Sequence, residues 1–405
     1  MLRRRFLSTS TLLAAGAVLG RSTLTQAADA TKRVTLPFAN GERDLVAFPE
    51  KRPLILLTSR PPQLETPFSV FNDGVITPND AFFVRYHLSD IPTRIDPATF
   101  RLSIRGKVNT PLELSLDELK RLAPPVDLVA VNQCSGNSRG YFTPRVNGGQ
   151  LGHGAMGCAR WTGLPLRTVL EKAGVAATAR QVAFNGLDRG PLDATPDFVK
   201  ALDLDHALDG EVLLAFEMNG EPLPMLNGFP LRLVVPGYYG TYWVKHINEL
   251  TVVPDALDNF WMSTAYRIPN TPGACIEPGT TTKNTIPINR FNVRSFITSH
   301  ADGAKVPTKK AAAVRGIAFD GGSGIREVVF SGDGGRTWQE AELGPDLGRY
   351  SFREWKLAYT PAKPGDTAWK CRAINRLGES QPMEPLWNPS GYMRNVVETV
   401  NLTVA

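Results

Sequence analysis

The chain has 405 residues, of which 42% are hydrophobic and 21% charged, a balance that excludes both a disordered and a membrane-embedded chain and leaves room for about two domains. Its formal charge is +6, but residues 1–30 carry four Arg and one Asp, so the rest of the chain amounts to +3. Most of the basic character is therefore not a patch built for nucleic acid.

Residues 1–30 read as an export signal. Arg3-Arg4-Arg5-Phe6-Leu7 opens it, an apolar stretch runs from Leu12 to Leu19, and Ala28-Asp29-Ala30 offers a small-x-small cleavage site. The apolar stretch is too short to anchor in a bilayer. Consecutive arginines before Phe-Leu suit the twin-arginine route for folded proteins, with a plain secretory signal as the alternative. The expectation is a periplasmic protein with no membrane attachment after signal removal. Residues 31–80 are rich in Pro, lack clear periodicity and read as an extended arm.

From residue 81 to about residue 270 the sequence predicts short strands mixed with short helices. Arg101 to Val108 alternates like a strand, and Ser115-Leu116-Asp117-Glu118 is a capping box opening a helix to Leu122. Pro165 to Ala173 reads as a helix stopped by Gly174, followed by a strand at Gln181 to Asn185. Met218-Asn219-Gly220-Glu221 is a hairpin turn and Arg232 to Val235 a buried strand. The pattern is α+β without βαβ alternation, and neither GxGxxG nor a P-loop occurs, so nucleotide chemistry has no support.

A Pro/Thr/Gly-rich passage from Thr271 to Pro287 leads to a region of different character. Strands are expected at Val314–Ala318, Glu327–Phe330, Thr337–Glu342, Trp355–Thr360 and Trp369–Ile374, with Gly-rich turns at 320–324 and 331–335. Residues 285–405 thus read as an all-β sandwich of immunoglobulin-like size, without the Cys-Trp-Cys spacing of antibody domains.

Cys134, Cys158, Cys275 and Cys371 are scattered, with no CxxC pair and no CxxCH haem-attachment motif. Cys134 is the informative one. An apolar run, Leu128 to Val131, breaks there into the turn Asn132-Gln133-Cys134-Ser135-Gly136-Asn137-Ser138-Arg139. Locally the thiol reads as a soft metal ligand, a nucleophile or a buried structural cysteine.

Four segments occurring in order widen that reading: Phe82-Phe83-Val84-Arg85-Tyr86-His87, the turn at Cys134, Phe229-Pro230-Leu231-Arg232-Leu233-Val234-Val235-Pro236-Gly237, and Ala265-Tyr266-Arg267. In order and approximate spacing they resemble the sulfite oxidase family of molybdenum enzymes, from about Phe68 to the C-terminus. The resemblance implies an α+β molybdopterin-binding domain over residues 81–270 and an immunoglobulin-like dimerisation domain over residues 285–405, hence a homodimer. It also implies molybdenum held by two pterin dithiolene sulfurs and the Cys134 thiolate.

Arg85 and Arg139 match the family's pocket arginines, suited to a doubly charged oxyanion by their planar donors, and His87 accompanies Arg85. Tyr266 matches the active-site phenol, able to hydrogen-bond a reacting oxygen and relay a proton. A third family arginine follows a Trp-Asn pair; here Trp387-Asn388-Pro389-Ser390 lacks it, and Arg394 is the candidate substitute. For the cofactor the matching positions are Phe83, Val84, Arg85, Tyr86 and His87, then Asp188 for the pterin ring. Arg232 and Lys245 match contacts to the phosphate end, Trp243 and Val244 are further cofactor positions, and Asn227 stands where the vertebrate pattern has histidine.

The implied activity is sulfite oxidation to sulfate, with electrons leaving to a separate c-type cytochrome because this chain shows no haem motif. Alternatives on the same fold act on other sulfur compounds, as sulfane dehydrogenases or sulfoxide reductases. An alternative of another class is a cofactor-free exported binding protein that uses the sandwich for adhesion.

Overall fold

The computed structural model describes residues 33–35 and 41–405. The predicted export signal, residues 1–30, lies outside the described residues, as do residues 31–32 and 36–40 of the predicted arm.

Within the expected extended arm, the chain forms a sheet. Strands Glu42–Val46, Leu54–Ser59 and Pro62–Glu65 pair in antiparallel succession and end on Val84–Arg85. Each is only a few residues long, and Pro62 occupies a first-strand position where a missing N–H is tolerated, so alternation is hard to read. Leu54, Leu64 and Val84 form a small core with Leu226. This sheet delivers Arg85 to the centre of the molecule.

Two further sheets build the central unit. One runs in the order Lys200–Asp203, Gln181–Gly186, Ile247–Val253, Arg101–Gly106, Leu112–Ser115, antiparallel except where Ile247–Val253 meets Arg101–Gly106. The other runs Glu221–Pro222, Leu213–Met218, Met156–Pro165, Val126–Gln133, with Arg232–Val234 also on Leu213–Met218. Among the described residues only three α-helices occur: Leu116–Lys120, Leu166–Ala173 and Leu204–Ala207. The fold is thus mostly β, and α+β overstates the helices.

Local chemistry explains the predicted elements. Glu118 N donates to Ser115 Oγ at 3.2 Å and Ser115 N donates to Glu118 Oε2 at 2.9 Å, the reciprocal bonds of a capping box. That helix nevertheless ends at Lys120, short of Leu122. Asn219 (φ 57°) and Gly220 (φ 82°) take the paired left-handed conformations that a two-residue hairpin requires. The long strand Met156–Pro165 escapes sequence reading because Gly157 and Gly163 look like turn residues. Both are sites of close approach: a Cβ on Gly157 would lie 2.5 Å from the Phe82 ring, and one on Gly163 2.3 Å from the Leu214 carbonyl.

In the C-terminal unit, strands Arg294–Ile297, Ala312–Phe319, Arg353–Tyr359 and Glu342–Leu343 form one sheet. Ala304–Val306, Thr399–Val404, Gly365–Asn375, Ile325–Ser331 and Gln339–Glu340 form the other. Val314 and Trp355 from the first sheet and Phe330 and Trp369 from the second share one core. The expected strand Thr337–Glu342 is two pieces, because the chain crosses between sheets at the buried Ala341. A larger core joins the central sheets to Phe296, Ile317 and Phe352 of this unit, so the two units pack continuously. Among the described residues no helix is long and apolar enough to cross a membrane.

Candidate active site

A pocket opens between the arm sheet, the central sheets and the loop before Arg267. Phe83, Arg85, Tyr86 and His87 line one side; Cys134 and Tyr266 line another. Asp188, Asn227, Arg232, Trp243, Val244 and Lys245 are the other predicted residues that line it. Residues from 83 to 266 converge because each sits at a strand end or in the loop just beyond one.

Three predicted residues are placed elsewhere. Val84 alternates away from Arg85 and packs with Leu54 and Leu64, as the two-residue period of a strand demands. Arg139 is just outside the lining: its guanidinium lies 5.0 Å over the Tyr392 ring, and Nε donates to the Ser390 carbonyl at 3.0 Å. Arg394, the candidate for the missing family arginine, does not line the pocket. It donates to both carboxylate oxygens of Glu398 at 3.1 and 3.0 Å, and this bidentate pairing holds it away from the pocket.

Cys134 follows the strand Val126–Gln133, and its turn is pinned at several points. Cys134 N donates to the Ala155 carbonyl at 2.9 Å, and Asn137 N donates to the Cys134 carbonyl at 3.0 Å. The thiol is half-buried at the pocket wall, unlike Cys158 and Cys371, whose thiols burial pushes up to about 12. A thiolate here is a soft anionic donor. Among the described residues no group of three or more His, Cys, Asp or Glu side chains is placed to hold a metal ion.

His87 and Tyr266 are hydrogen-bonded through Nε2 and Oη. Phe198 stacks on the imidazole at 3.7 Å and Trp261 meets it edge-on at 5.5 Å, so the ring is packed among aromatic side chains. Burial first, then the charges of Arg85, Lys245 and Lys200, hold the His87 pKa well below its usual range, leaving it neutral. Burial raises the Tyr266 phenol, against the pull of Arg85. Tyr266 has φ 57° and stacks on Tyr392 at 5.4 Å.

The far end is cationic. Arg232 sits over the Trp161 and Trp243 rings at 5.2 and 5.6 Å, and burial lowers its pKa to about 9. Lys245 lies over the Tyr86 ring at 3.1 Å, its pKa lowered by burial and then by Arg232. Asp188 is raised to about 6 by burial against the pull of Lys245. Asn227 is held between Lys51, whose Nζ donates to Oδ1 at 2.5 Å, and the Phe83 carbonyl, to which Nδ2 donates at 3.3 Å.

Sequence reading missed several residues of this neighbourhood. Lys51 comes from the arm, Asn132 and Thr241 from the pocket wall, and Lys200 lies behind Tyr266, 5.4 Å from its ring. Lys200 had a legible signal: a lysine inside the apolar run Phe198-Val199-Lys200-Ala201-Leu202. Asn132 and Thr241 carry no comparable mark.

The pocket is built for a polar, anionic guest. Arg85 Nη1, Asn132 Oδ1, Ser135 Oγ, Arg232 Nε and Thr241 Oγ1 are all buried without a hydrogen-bond partner among the described residues, and all five side chains line it. Buried polar groups are normally satisfied. Such a concentration of unsatisfied donors and acceptors suits a phosphate-bearing heterocycle, whose ring edges and oxygens supply the missing partners.

Comparisons with known proteins agree with this geometry. The family description "Oxidoreductase molybdopterin binding domain" matches residues 88–261, and "Mo-co oxidoreductase dimerisation domain" matches residues 285–405. The chain is 35% identical over 376 residues to the mitochondrial sulfite oxidase of Homo sapiens, covering 88% of this chain and 67% of that protein. It is 29% identical over 382 residues to the sulfite oxidase of Arabidopsis thaliana, covering 88% and 96%. In fold it is similar to the sulfane dehydrogenase SoxCD of Paracoccus pantotrophus, with a TM-score of 0.71 and 23% identity over 96% of this chain and 92% of that one. Sequence, fold and pocket together place the chain in the sulfite oxidase family, as an oxidoreductase with a molybdopterin-binding domain and a dimerisation domain.

Proposed function

We propose that this protein oxidises sulfite to sulfate at a molybdenum centre held by Cys134, and passes the electrons to a separate c-type cytochrome after twin-arginine export to the periplasm. The observation that carries the reading is the unpartnered, buried Nη1 of Arg85 in the same pocket as Cys134 and the His87–Tyr266 pair. Sulfite and water give sulfate, two protons and two electrons. When bound, the molybdopterin-held metal supplies the oxygen transfer and the two-electron change.

The chain's own groups do the rest. Arg85 offers a fixed cationic donor to an oxyanion in a site with little water to compete. Tyr266 keeps its proton and offers its hydroxyl to a reacting oxygen, and neutral His87, hydrogen-bonded to that hydroxyl, orients it. Arg232 and Lys245 bind the phosphate end of the cofactor, and Asp188 accepts from its ring edge. In this reading the C-terminal unit is an immunoglobulin-like sandwich that pairs two copies of the chain.

Purified protein assayed with sulfite against cytochrome c, ferricyanide and dioxygen tests the proposal. Sulfate formation with cytochrome reduction and no peroxide is expected, from a particle sedimenting at twice the chain mass. Inertness to sulfite with turnover of a sulfane compound would move the substrate to that class. Absence of molybdenum from the purified protein would favour a binding module instead.

A further inference from the structure

The turn that presents Cys134 is held from outside its own domain. Arg294 opens the strand Arg294–Ile297 of the C-terminal unit, and its side chain is 1% exposed. Its Nη1 donates to Gln133 Oε1 at 3.3 Å and its Nη2 to Ser138 Oγ at 2.6 Å. One planar guanidinium thus spans the turn, from the residue before the thiol to the fourth residue after it.

Both acceptors are themselves tied into the turn. Gln133 Oε1 also accepts from Asn137 Nδ2 at 3.2 Å, and the Ser138 hydroxyl is 2.6 Å from His153 Nδ1. Ser138 has φ 68°, a left-handed conformation uncommon in residues with a side chain and kept only where surroundings hold it. The charge of Arg294 is balanced by Glu398 at 3.2 Å. An arginine fork with fixed spacing can set two acceptors at once, which a lysine ammonium does less well.

We infer that Arg294 is a positioning residue for the Cys134 thiolate, and that the C-terminal unit tunes the metal site through it. The inference rests on Cys134 being the protein ligand of the metal. Partners that orient a metal ligand are energetically coupled to the metal, and their loss typically costs about 10–100-fold in affinity or activity.

The test uses purified holoenzyme. Arg294→Lys keeps a cation opposite Glu398 but loses the fork; Ser138→Ala removes one acceptor and leaves the Arg294–Glu398 pair intact, so it reports even if Arg294→Lys fails to fold. Both are expected to melt cooperatively, to lose molybdenum faster on dialysis, and to show a shifted thiolate-to-metal charge-transfer absorption. Sulfite kcat should fall about tenfold or more with KM unchanged. In a Cys134→Ser background, Arg294→Lys should cause no additional loss of molybdenum, whereas a merely structural role would still add one. Wild-type absorption and kcat in Ser138→Ala, or in folded Arg294→Lys, overturn the inference. Wild-type absorption in Cys134→Ser overturns instead the assignment of the ligand on which it rests.

Discussion

Tyr266 and Arg85 carry the sharpest consequences for single side chains. Tyr266→Phe keeps the ring stacked on Tyr392 and deletes the oxygen bonded to His87, so folding and molybdenum content should persist. Losing one positioned proton-transfer group costs about 10²–10⁴-fold when that step limits the rate. Stopped-flow should show this loss in reduction by sulfite or in one-electron reoxidation, with an altered pH dependence; wild-type rates in both phases would make Tyr266 a packing residue. Arg85→Gln removes a cation whose Nη1 has no hydrogen-bond partner among the described residues. A lost buried charge-assisted contact costs about 2–5 kcal/mol, so kcat/KM for sulfite should fall more than about tenfold. Steady-state kinetics with both constants unchanged would place Arg85 outside the substrate site.

Among the elements, the sheet that ends in the Cys134 turn depends on one glycine. Met156–Pro165 lies between Val126–Gln133 and Leu213–Met218, and Gly163 faces Ala215 with no room for a side chain. Its Cβ would stand 2.3 Å from the Leu214 carbonyl, which is backbone and has no easy relaxation. Overpacking usually costs about 1–3 kcal/mol; Gly163→Ala should reach the top of that range, with reduced soluble yield and a lower urea midpoint. An unchanged midpoint would mean that the sheet has more slack than its geometry indicates. The same element logic explains Val84 and Arg85. Adjacent in sequence, they face opposite sides of a strand, so one fills the arm's core and the other reaches the pocket.

For the whole molecule, buried lysines give stability a pH signature. Burial lowers Lys200 from 10.5 to about 7. Below pH 7 both folded and unfolded chains hold this proton, and the folded state bears the full cost of the buried charge. Between pH 7 and 10.5 the folded lysine is neutral while the unfolded one is charged, so the cost is relieved as pH rises. Lys200→Met should therefore be most stabilising, relative to wild type, near pH 6. Its advantage should shrink toward pH 10 at up to about 1.4 kcal/mol per pH unit. Urea midpoints at three pH values check the trend; a difference independent of pH would show that Lys200 is neutral throughout or open to water.

The segments around Arg85, Cys134, Arg232 and Tyr266 are legible in sequence because each is a short local signature that survives without knowledge of its neighbours. So are the capping box at Ser115 and the hairpin at Asn219-Gly220, where side-chain or backbone chemistry acts within a few residues. The arm sheet and the strand Met156–Pro165 are not, because what makes them strands is pairing with distant segments, and their Pro and Gly residues locally argue for turns. The fate of individual cations is likewise a tertiary matter. Arg394 and Arg85 look alike as residues, yet a buried glutamate claims one, while the Nη1 of the other has no partner among the described residues and lies at the pocket. Arg294 stands at the start of a short strand, Arg294–Ile297, and nothing in the sequence sets it apart from the other arginines. Only folding, which brings residues 133 and 138 against it, decides that it grips the turn of Cys134.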